Sequence, residues 1–271
     1  RALSAEVGRR LTTAVSASGS YQIQRIELFD EKINAPDKLL IDRIFPEVRL
    51  SSFSTSVIRN TRDDALDPSA GVYLSGFGQL AGRTIGSEVG LAKTFLTGQL
   101  FRTLPHVRRV VLATSLRLGV AAGFARRVVS TGEDGQPIEG VVKDLPASER
   151  FFAGGDTTVR GFALDQLGTP KTIDTDGFPI GGNAVVILNA ELRAPFRNLQ
   201  FVGFLDAGNV FAKPSEIDLG QMRSAVGFGI RYKSPVGPIR VDVGFKVHRH
   251  DIVPGKPESP AAVHISLGQA F

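Results

Sequence analysis

Apolar and polar residues alternate strictly over residues 239–247, near the end of the chain. Every odd position there is apolar, and every even position is charged or glycine. A period of two residues is typical of a β-strand with one apolar face. Residues 223–232 alternate in the same way, and the segment 234–238 between the two contains two prolines and a glycine. Since such a segment favours a tight turn, the two strands are predicted to form a hairpin.

The alternation recurs along most of the chain. It is clear over residues 110–124, 185–195 and 200–211, and weaker over 3–9, 14–29, 48–59, 71–81 and 88–101. Together with a last strand over 262–271, this makes about eleven strands and leaves hardly any helical spacing. The sequence therefore predicts an all-β fold of antiparallel strands.

The last strand reads AVHISLGQAF, and its alternation places Ile265, Leu267 and Phe271 on the apolar face. Gly268 falls on the opposite face, and Gln269 is a polar exception on the apolar side. We expect an uninterrupted strand as far as Phe271. The four residues of its candidate C-terminal signal are Ile265, Leu267, Gly268 and Phe271.

Periodicity alone leaves open what the apolar faces meet, since they could pack on each other in a soluble sandwich or face lipid. Charged residues occupy the opposite face of strand after strand, as Arg117, Glu191, Asp206 and Arg231 illustrate. Burying that many charges is costly in a soluble core, whereas a membrane β-barrel directs them into a wet lumen. We therefore expect an antiparallel transmembrane β-barrel.

Composition is compatible with this expectation and removes several others. The chain is 42% apolar and 22% charged, which is typical of a folded protein, and it contains no apolar run of the roughly 20 residues that a spanning helix needs. Without cysteine it has neither disulfides nor a thiol nucleophile. The net charge of +5 is spread along the chain, so nucleic-acid binding is not expected.

One long segment, about residues 125–182, shows neither strand nor helix period. Within it, residues 151–162 read FFAGGDTTVRGF, in which glycines and one arginine are bracketed by apolar residues. A loop of this length is usually functional or disordered, and its apolar residues argue for a docked loop. We call residues 154–162 the loop latch. Its candidate residues are Gly154, Gly155, Asp156, Val159, Arg160, Gly161 and Phe162.

Five segments in order carry a family resemblance: RNTRDDALDPSAG (59–71), ERFFAGGDTTVRGF (149–162), FLDAGN (204–209), YKSPVGPIRVD (232–242) and HISLGQAF (264–271). With the terminal aromatic of an alternating strand, they resemble the C-terminal barrel of the bacterial outer-membrane assembly family typified by BamA and TamA. The resemblance covers most of the chain beyond residue 48 and implies a location in the bacterial outer membrane.

The resemblance also implies that the long extracellular loop folds into the lumen, with Arg160 held against Asp206 and with Glu191 as a second acceptor. The alternative for both carboxylates is ordinary lumen polarity. Barrels of the family have about sixteen strands. We therefore expect residues 1–271 to be one barrel domain that lacks its first strands and the periplasmic polypeptide-transport-associated domains. A smaller barrel of about twelve strands is the alternative.

The implied function is to help fold and insert β-barrel proteins into the outer membrane. Expected partners are outer-membrane lipid, unfolded outer-membrane proteins and, through the preceding region, periplasmic or inner-membrane proteins. The alternatives are a two-partner-secretion export pore and a passive porin or anchor. No catalytic arrangement, cofactor site or phosphate-binding loop is predicted, and His248 and His250 lack a third metal ligand. An enzyme is not expected.

Overall fold

A computed structural model describes residues 2–27, 41–42, 47–105, 107, 109–131, 137–235, 237–250, 255 and 257–271. Eleven of the described strands form one antiparallel sheet in chain order, and β7 and β8 form a separate two-stranded hairpin. The strands are β1 Ala2–Arg10, β2 Val15–Glu27, β3 Glu47–Asn60, β4 Gly71–Ala81, β5 Leu91–Thr103, β6 Val111–Gly123, β7 Arg126–Thr131, β8 Pro137–Val142, β9 Ala184–Phe196, β10 Leu199–Phe211, β11 Arg223–Ser234, β12 Gly237–Lys246 and β13 Ala261–Leu267. Single-turn 3-10 helices span Arg83–Ile85, Ala147–Glu149, Pro214–Glu216 and Leu219–Gln221.

The sheet exposes its apolar face and buries its charged face. In β12, Ile239, Val241 and Phe245 are each 42% exposed, whereas Arg240 and Asp242 are 1% and 0% exposed. A soluble sheet would do the reverse, so the outer surface is suited to hydrocarbon and the inner surface to a polar lumen. This confirms the predicted transmembrane antiparallel β-barrel fold, and the main sheet has the expected number of strands. Among the described residues, no helix is long and apolar enough to cross a membrane.

The two ends of the sheet differ in the length of their connections. At one end, here called the short-turn end, the links are residues 11–14, 61–70, 104–110, 197–198 and 235–236. At the other, the long-loop end, one link runs from residue 124 to residue 183 and carries the loop latch. Short turns on one side and long loops on the other are typical of outer-membrane barrels.

The prediction that residues 125–182 contain no strand was wrong at the start of this segment. Residues Arg126–Thr131 and Pro137–Val142 pair with each other as β7 and β8, and they join no other strand of the described chain. Their sequences, RRVVST and PIEGVV, do not alternate strictly between apolar and polar residues, so the period of two is absent. The rest of the segment, which includes the loop latch, is irregular as predicted, apart from the 3-10 turn Ala147–Glu149 and isolated bridges.

The prediction of an uninterrupted last strand was also wrong. Ile265 and Leu267 face outward as expected, at 75% and 66% exposure, but β13 ends at Leu267. Gly268 has a φ of 95°, which interrupts the alternation. Phe271 therefore lies on the inner side, where its ring centroid is 6.5 Å from that of Phe101.

The other predicted boundaries fall within a few residues of the observed ones. The strand predicted over 71–81 has the observed bounds, and the strand predicted over 14–29 is observed as Val15–Glu27. Residues 28–29 of that prediction, and Val236 in the predicted turn after β11, lie outside the described residues. Pro238 belongs to β12 and not to the turn, because its register partner is Lys233.

Candidate functional site

The loop latch lies inside the sheet, where Val159, Arg160 and Phe162 are almost fully buried. Hydrogen bonds within the loop latch hold its conformation. The Gly155 amide donates to the Phe162 carbonyl at 3.1 Å, and the Gly154 amide donates to the Thr158 hydroxyl at 2.8 Å. A loop that is already ordered by internal hydrogen bonds loses less conformational entropy when it docks. These bonds also hold Arg160 in a defined position.

The tip of the loop latch approaches β12 backbone to backbone. Gly161 has a φ of 104°, a conformation that favours glycine. A Cβ atom placed on Gly244 of β12 would lie 2.5 Å from the Gly161 nitrogen and 2.7 Å from the Arg160 carbonyl carbon. The two glycines together let the loop come close enough for Arg160 to reach the carboxylates on the sheet.

Arg160 is held by three carboxylates from three strands. Its Nε and Nη2 donate to the two oxygens of Asp206 on β10 at 2.7 and 2.8 Å, and its backbone amide also donates to Oδ2 at 3.0 Å. Nη1 donates to Glu191 Oε1 on β9 at 2.5 Å and to Asp242 Oδ2 on β12 at 3.3 Å. Paired, bidentate contacts of this kind offset the cost of burying a guanidinium.

The same carboxylates bind further arginines of the sheet. Glu191 accepts from Arg193 Nε at 2.8 Å and from Arg231 Nη2 at 2.6 Å. Arg240 lies 3.4 Å from Asp242 and donates to Asp156 of the loop latch at 2.7 Å. Four arginines therefore face four carboxylates, and the formal charges cancel (+4 and −4). The four arginines are Arg160, Arg193, Arg231 and Arg240, and the four carboxylates are Asp156, Glu191, Asp206 and Asp242.

Aromatic rings complete the site. The Arg160 guanidinium lies 3.6 Å from the ring centroid of Phe204, so that β10 supplies both a carboxylate and a π-face to one arginine. The Phe162 ring accepts Arg223 and Lys246, at 4.6 and 4.8 Å from its centroid. Burial of Phe162 between two cations fixes the loop latch at a second point, next to the arginine.

The structure brings together the loop latch and both predicted acceptors, Asp206 and Glu191. The candidate C-terminal signal lies at the short-turn end, where its Phe271 ring reaches the network, with the Arg193 guanidinium 5.5 Å from the ring centroid. Sequence reasoning missed Asp242, Phe204 and the pairing of Asp156 with Arg240. Asp242 and Phe204 lie at inward-facing positions of their strands, so the alternation pattern could have identified them. The third depends on the path of the loop, which no periodicity reports.

Chemically, the arrangement is a buried ion-pair network. Each carboxylate oxygen that binds Arg160 is engaged, and no group of three or more His, Asp or Glu suited to a metal occurs among the described residues. Breaking a network of this kind leaves buried charges unpaired, which is expensive. Its evident physical effect is to hold the long loop inside the barrel.

Comparison with known proteins agrees with this fold. The Omp85 superfamily domain matches residues 1–271, so the chain belongs to the Omp85 superfamily. It is similar to the outer membrane protein assembly factor BamA of Nitratidesulfovibrio vulgaris, with 26% identity over 229 residues, 83% of this chain and 26% of that protein. It is also similar to a SAM50-like protein of Drosophila melanogaster, with 30% identity over 194 residues, 66% of this chain and 36% of that protein.

A solved structure shares the fold. The crystal structure of BamA from Haemophilus ducreyi lacking POTRA domains 1–3 superposes with a TM-score of 0.68 at 19% identity, over 98% of this chain and 52% of that chain. Family, fold and outward apolar band together identify a barrel of the bacterial outer membrane. The chain spans about a quarter of the length of the BamA relative from Nitratidesulfovibrio vulgaris.

Proposed function

We propose that this barrel belongs to a factor that helps fold and insert β-barrel proteins into the outer membrane. The names of its relatives support this role: BamA of Nitratidesulfovibrio vulgaris is called an outer membrane protein assembly factor. Its partners would be outer-membrane lipid and unfolded outer-membrane proteins. A region preceding the barrel, with periplasmic domains and further strands, would supply contacts to other proteins of the envelope.

The observation that carries the proposal is the buried loop latch in a barrel of the Omp85 superfamily. The family domain matches residues 1–271, and Arg160 of the loop latch pairs with carboxylates of β9, β10 and β12. Relatives that are about 26% identical over most of this chain are called outer membrane protein assembly factors.

The loop latch contributes by keeping the adjacent wall rigid. It binds β9, β10 and β12 through Arg160, so that three of the last five strands of the main sheet share one buried network. We infer that this network holds this wall of the barrel in place while a substrate is inserted. No group in the site is proposed to perform chemistry, and no cofactor is required.

Reconstitution of the complete protein in liposomes tests the proposal. A urea-unfolded β-barrel substrate is added outside, and its folded fraction is followed by the gel shift of the unheated protein. We expect faster membrane insertion than in empty liposomes. Complete transfer of the substrate to a protease-protected interior, without a gel shift, would instead identify an export pore. Ion conductance with neither effect would identify a passive porin or anchor.

A further inference from the structure

Two grooves that meet each other lie on the outer, apolar surface of the sheet. The larger groove, of about 650 Å³, extends over β4, β5, β6, β9 and β10, and the smaller, of about 490 Å³, extends over β3 to β6. Leu74, Gly98 and Leu116 line both grooves, and most of the exposed lining is apolar. We call the two grooves together the outer cleft.

The outer cleft is deep because part of its floor has no side chains. Gly76 of β4 and Gly98 of β5 occupy outward-facing positions among exposed leucines. A Cβ atom on either glycine would meet its nearest neighbour, a leucine methyl carbon, at 3.5 Å, which is an ordinary van der Waals contact. The fold therefore has room for a side chain at both positions, and a glycine inside a strand lowers stability. The space that the two glycines leave is available to another apolar molecule.

Two arginines lie at the short-turn end of the outer cleft. Arg59 lines the smaller groove, and Arg102 lies two residues beyond Leu100 of the larger groove, on the same face of β5. Both arginines are exposed, and neither forms an ion pair with a described residue. A charged side chain on the lipid-facing surface is tolerated near the interface, where it can meet lipid headgroups. The cleft is therefore apolar along its length and positively charged at one end.

The long-loop end of the same surface differs in its charges. Arg25 there pairs with Glu47, and Arg49 Nε donates to the Gly86 carbonyl at 3.2 Å. Links 82–90 and 212–222, with two strand residues on either side, contain three basic and three acidic residues. The five short links, counted in the same way over the described residues, contain eight basic and three acidic ones. The basic residues are Arg9, Arg10, Arg59, Arg62, Arg102, Arg109, Arg197 and Lys233. Positive charge is thus concentrated at the end with short turns, which is the periplasmic end of outer-membrane barrels.

From the apolar cleft and the cations at its end, we propose that the outer cleft binds one anionic phospholipid of the periplasmic leaflet. The headgroup phosphate lies at Arg59 and Arg102, and the two acyl chains lie in the two grooves. Guanidinium groups bind phosphate oxygens through paired hydrogen bonds, and basic residues near a membrane surface favour anionic lipids. The site requires only the location of the barrel in the membrane and does not depend on the proposed assembly function.

Tryptophan fluorescence tests the site, because this chain contains no tryptophan. Leu100→Trp is introduced into the complete protein, in which any tryptophan outside this chain is replaced by phenylalanine, and the protein is reconstituted in phosphatidylcholine vesicles. Quenching by brominated phosphatidylglycerol is compared with quenching by brominated phosphatidylcholine of the same acyl chains. We expect phosphatidylglycerol to bind more tightly. Arg59→Gln and Arg102→Gln should each weaken this preference by about fivefold, since each removes one cation near the headgroup. Gly98→Leu should weaken it by filling the cleft.

Two controls make the result specific. Phe228→Trp reports from an exposed position of β11, outside the outer cleft, and should show no preference between the two lipids. Arg25→Gln removes an arginine from the long-loop end and should leave the preference at Leu100→Trp unchanged. Equal quenching of Leu100→Trp by both lipids would overturn the proposal. An equal preference at Phe228→Trp, or a preference that survives the loss of both arginines, would also overturn it. The arginines are exposed, so their substitutions decide the question even if Gly98→Leu does not fold.

Discussion

On the inner face of β9–β12 the polar side chains are mainly charged, whereas on the inner face of β2–β4 they are mainly serine and glutamine. The charged residues are buried by the loop latch and pair with one another. Most of the uncharged ones are half-exposed, and they make few contacts, such as the 3.3 Å hydrogen bond from Gln79 to the buried Ser52. The half-exposed residues are Ser18, Ser20, Gln22, Ser54, Ser56, Ser75 and Gln79.

This difference reflects where the loop latch packs, which is against the charged wall. Residues before the loop latch reach other strands, since Glu149 pairs with Lys93 of β5 and Arg150 pairs with Asp42. Both walls have the same outer surface, since Phe53 of β3 and Leu205 of β10 are 53% and 51% exposed. The two walls differ in what covers their inner faces. Charged side chains occur where the loop latch covers them and supplies partners, and small neutral side chains occur where the inner face meets water. The uncharged wall is accordingly open, and the charged wall is filled.

The largest expected effect comes from reversing the charge of Arg160, which packs against the charged wall. Arg160→Glu places a carboxylate among Asp206, Glu191 and Asp242, and it should lower the free energy of unfolding in detergent by at least about 3–5 kcal/mol. Adding Asp206→Arg should recover part of this loss, because the pair is restored with opposite polarity. Urea titrations of the complete protein, compared as a double-mutant cycle, measure the coupling.

The matched control for this cycle is an exposed ion pair. Lys171→Glu opposes Glu216 at the protein surface, where pairs contribute about 0–1 kcal/mol, and should have a small effect. Additive losses for Arg160→Glu and Asp206→Arg would show that the two residues act independently. The packing of the loop latch against the charged wall would then have to depend on shape complementarity and not on ion pairs.

The sequence predicts this site only where residues alternate with the two-residue period of a β-strand. Alternation placed Asp206 and Glu191 on the inward face, and the resemblance added that Arg160 meets them. Phe271 was misplaced because the alternation was continued through Gly268, whose positive φ changes the direction of the chain. Side-chain parity follows from an unbroken strand, and it carries no information beyond the residue at which the strand ends.

Other parts of the site could not be predicted, for a related reason. The contact of Asp67 with Gln269 joins residues that are 202 positions apart, and it involves one turn and the irregular end of the chain after β13. The pair Asp156 and Arg240 requires the path of an irregular loop. Both depend on how the sheet curves as a whole, which is a tertiary property that a residue pattern does not contain.

An intermediate effect on stability is expected from adding a methyl group where the loop latch contacts β12. Gly244→Ala would place Cβ within 2.5–2.8 Å of the backbone of Arg160 and Gly161, so the loop latch must move. We expect a loss of about 1–3 kcal/mol in the free energy of unfolding. The control is Gly203→Ala on β10, where a Cβ would meet nothing within 4 Å. Equal effects of the two substitutions would contradict a close contact at Gly244.

The smallest effect concerns the turn between β3 and β4, at the short-turn end of the uncharged wall. Burial raises the pKa of Asp63, but hydrogen bonds from the Ser69 hydroxyl and from the amides of Ala70, Ser69 and Asp64 outweigh it and lower the pKa to about 2, from an ordinary value of 3.8. Because the folded turn prefers the carboxylate, Asp63 stabilises it fully above pH 3.8, and this contribution is lost as the pH falls towards about 2.

Carboxyl carbon shifts of the complete protein in micelles would measure this titration by NMR. Ser69→Ala should raise the pKa of Asp63 towards its ordinary value, because it removes the 2.5 Å hydrogen bond from the hydroxyl. Ser54→Ala, on the open wall, should leave the pKa unchanged, since Ser54 lies on β3 outside the turn. A titration near the ordinary value in all three proteins would mean that Asp63 does not order the turn. The turn would then present Asp67 to Gln269 without the support of the Asp63 hydrogen bonds.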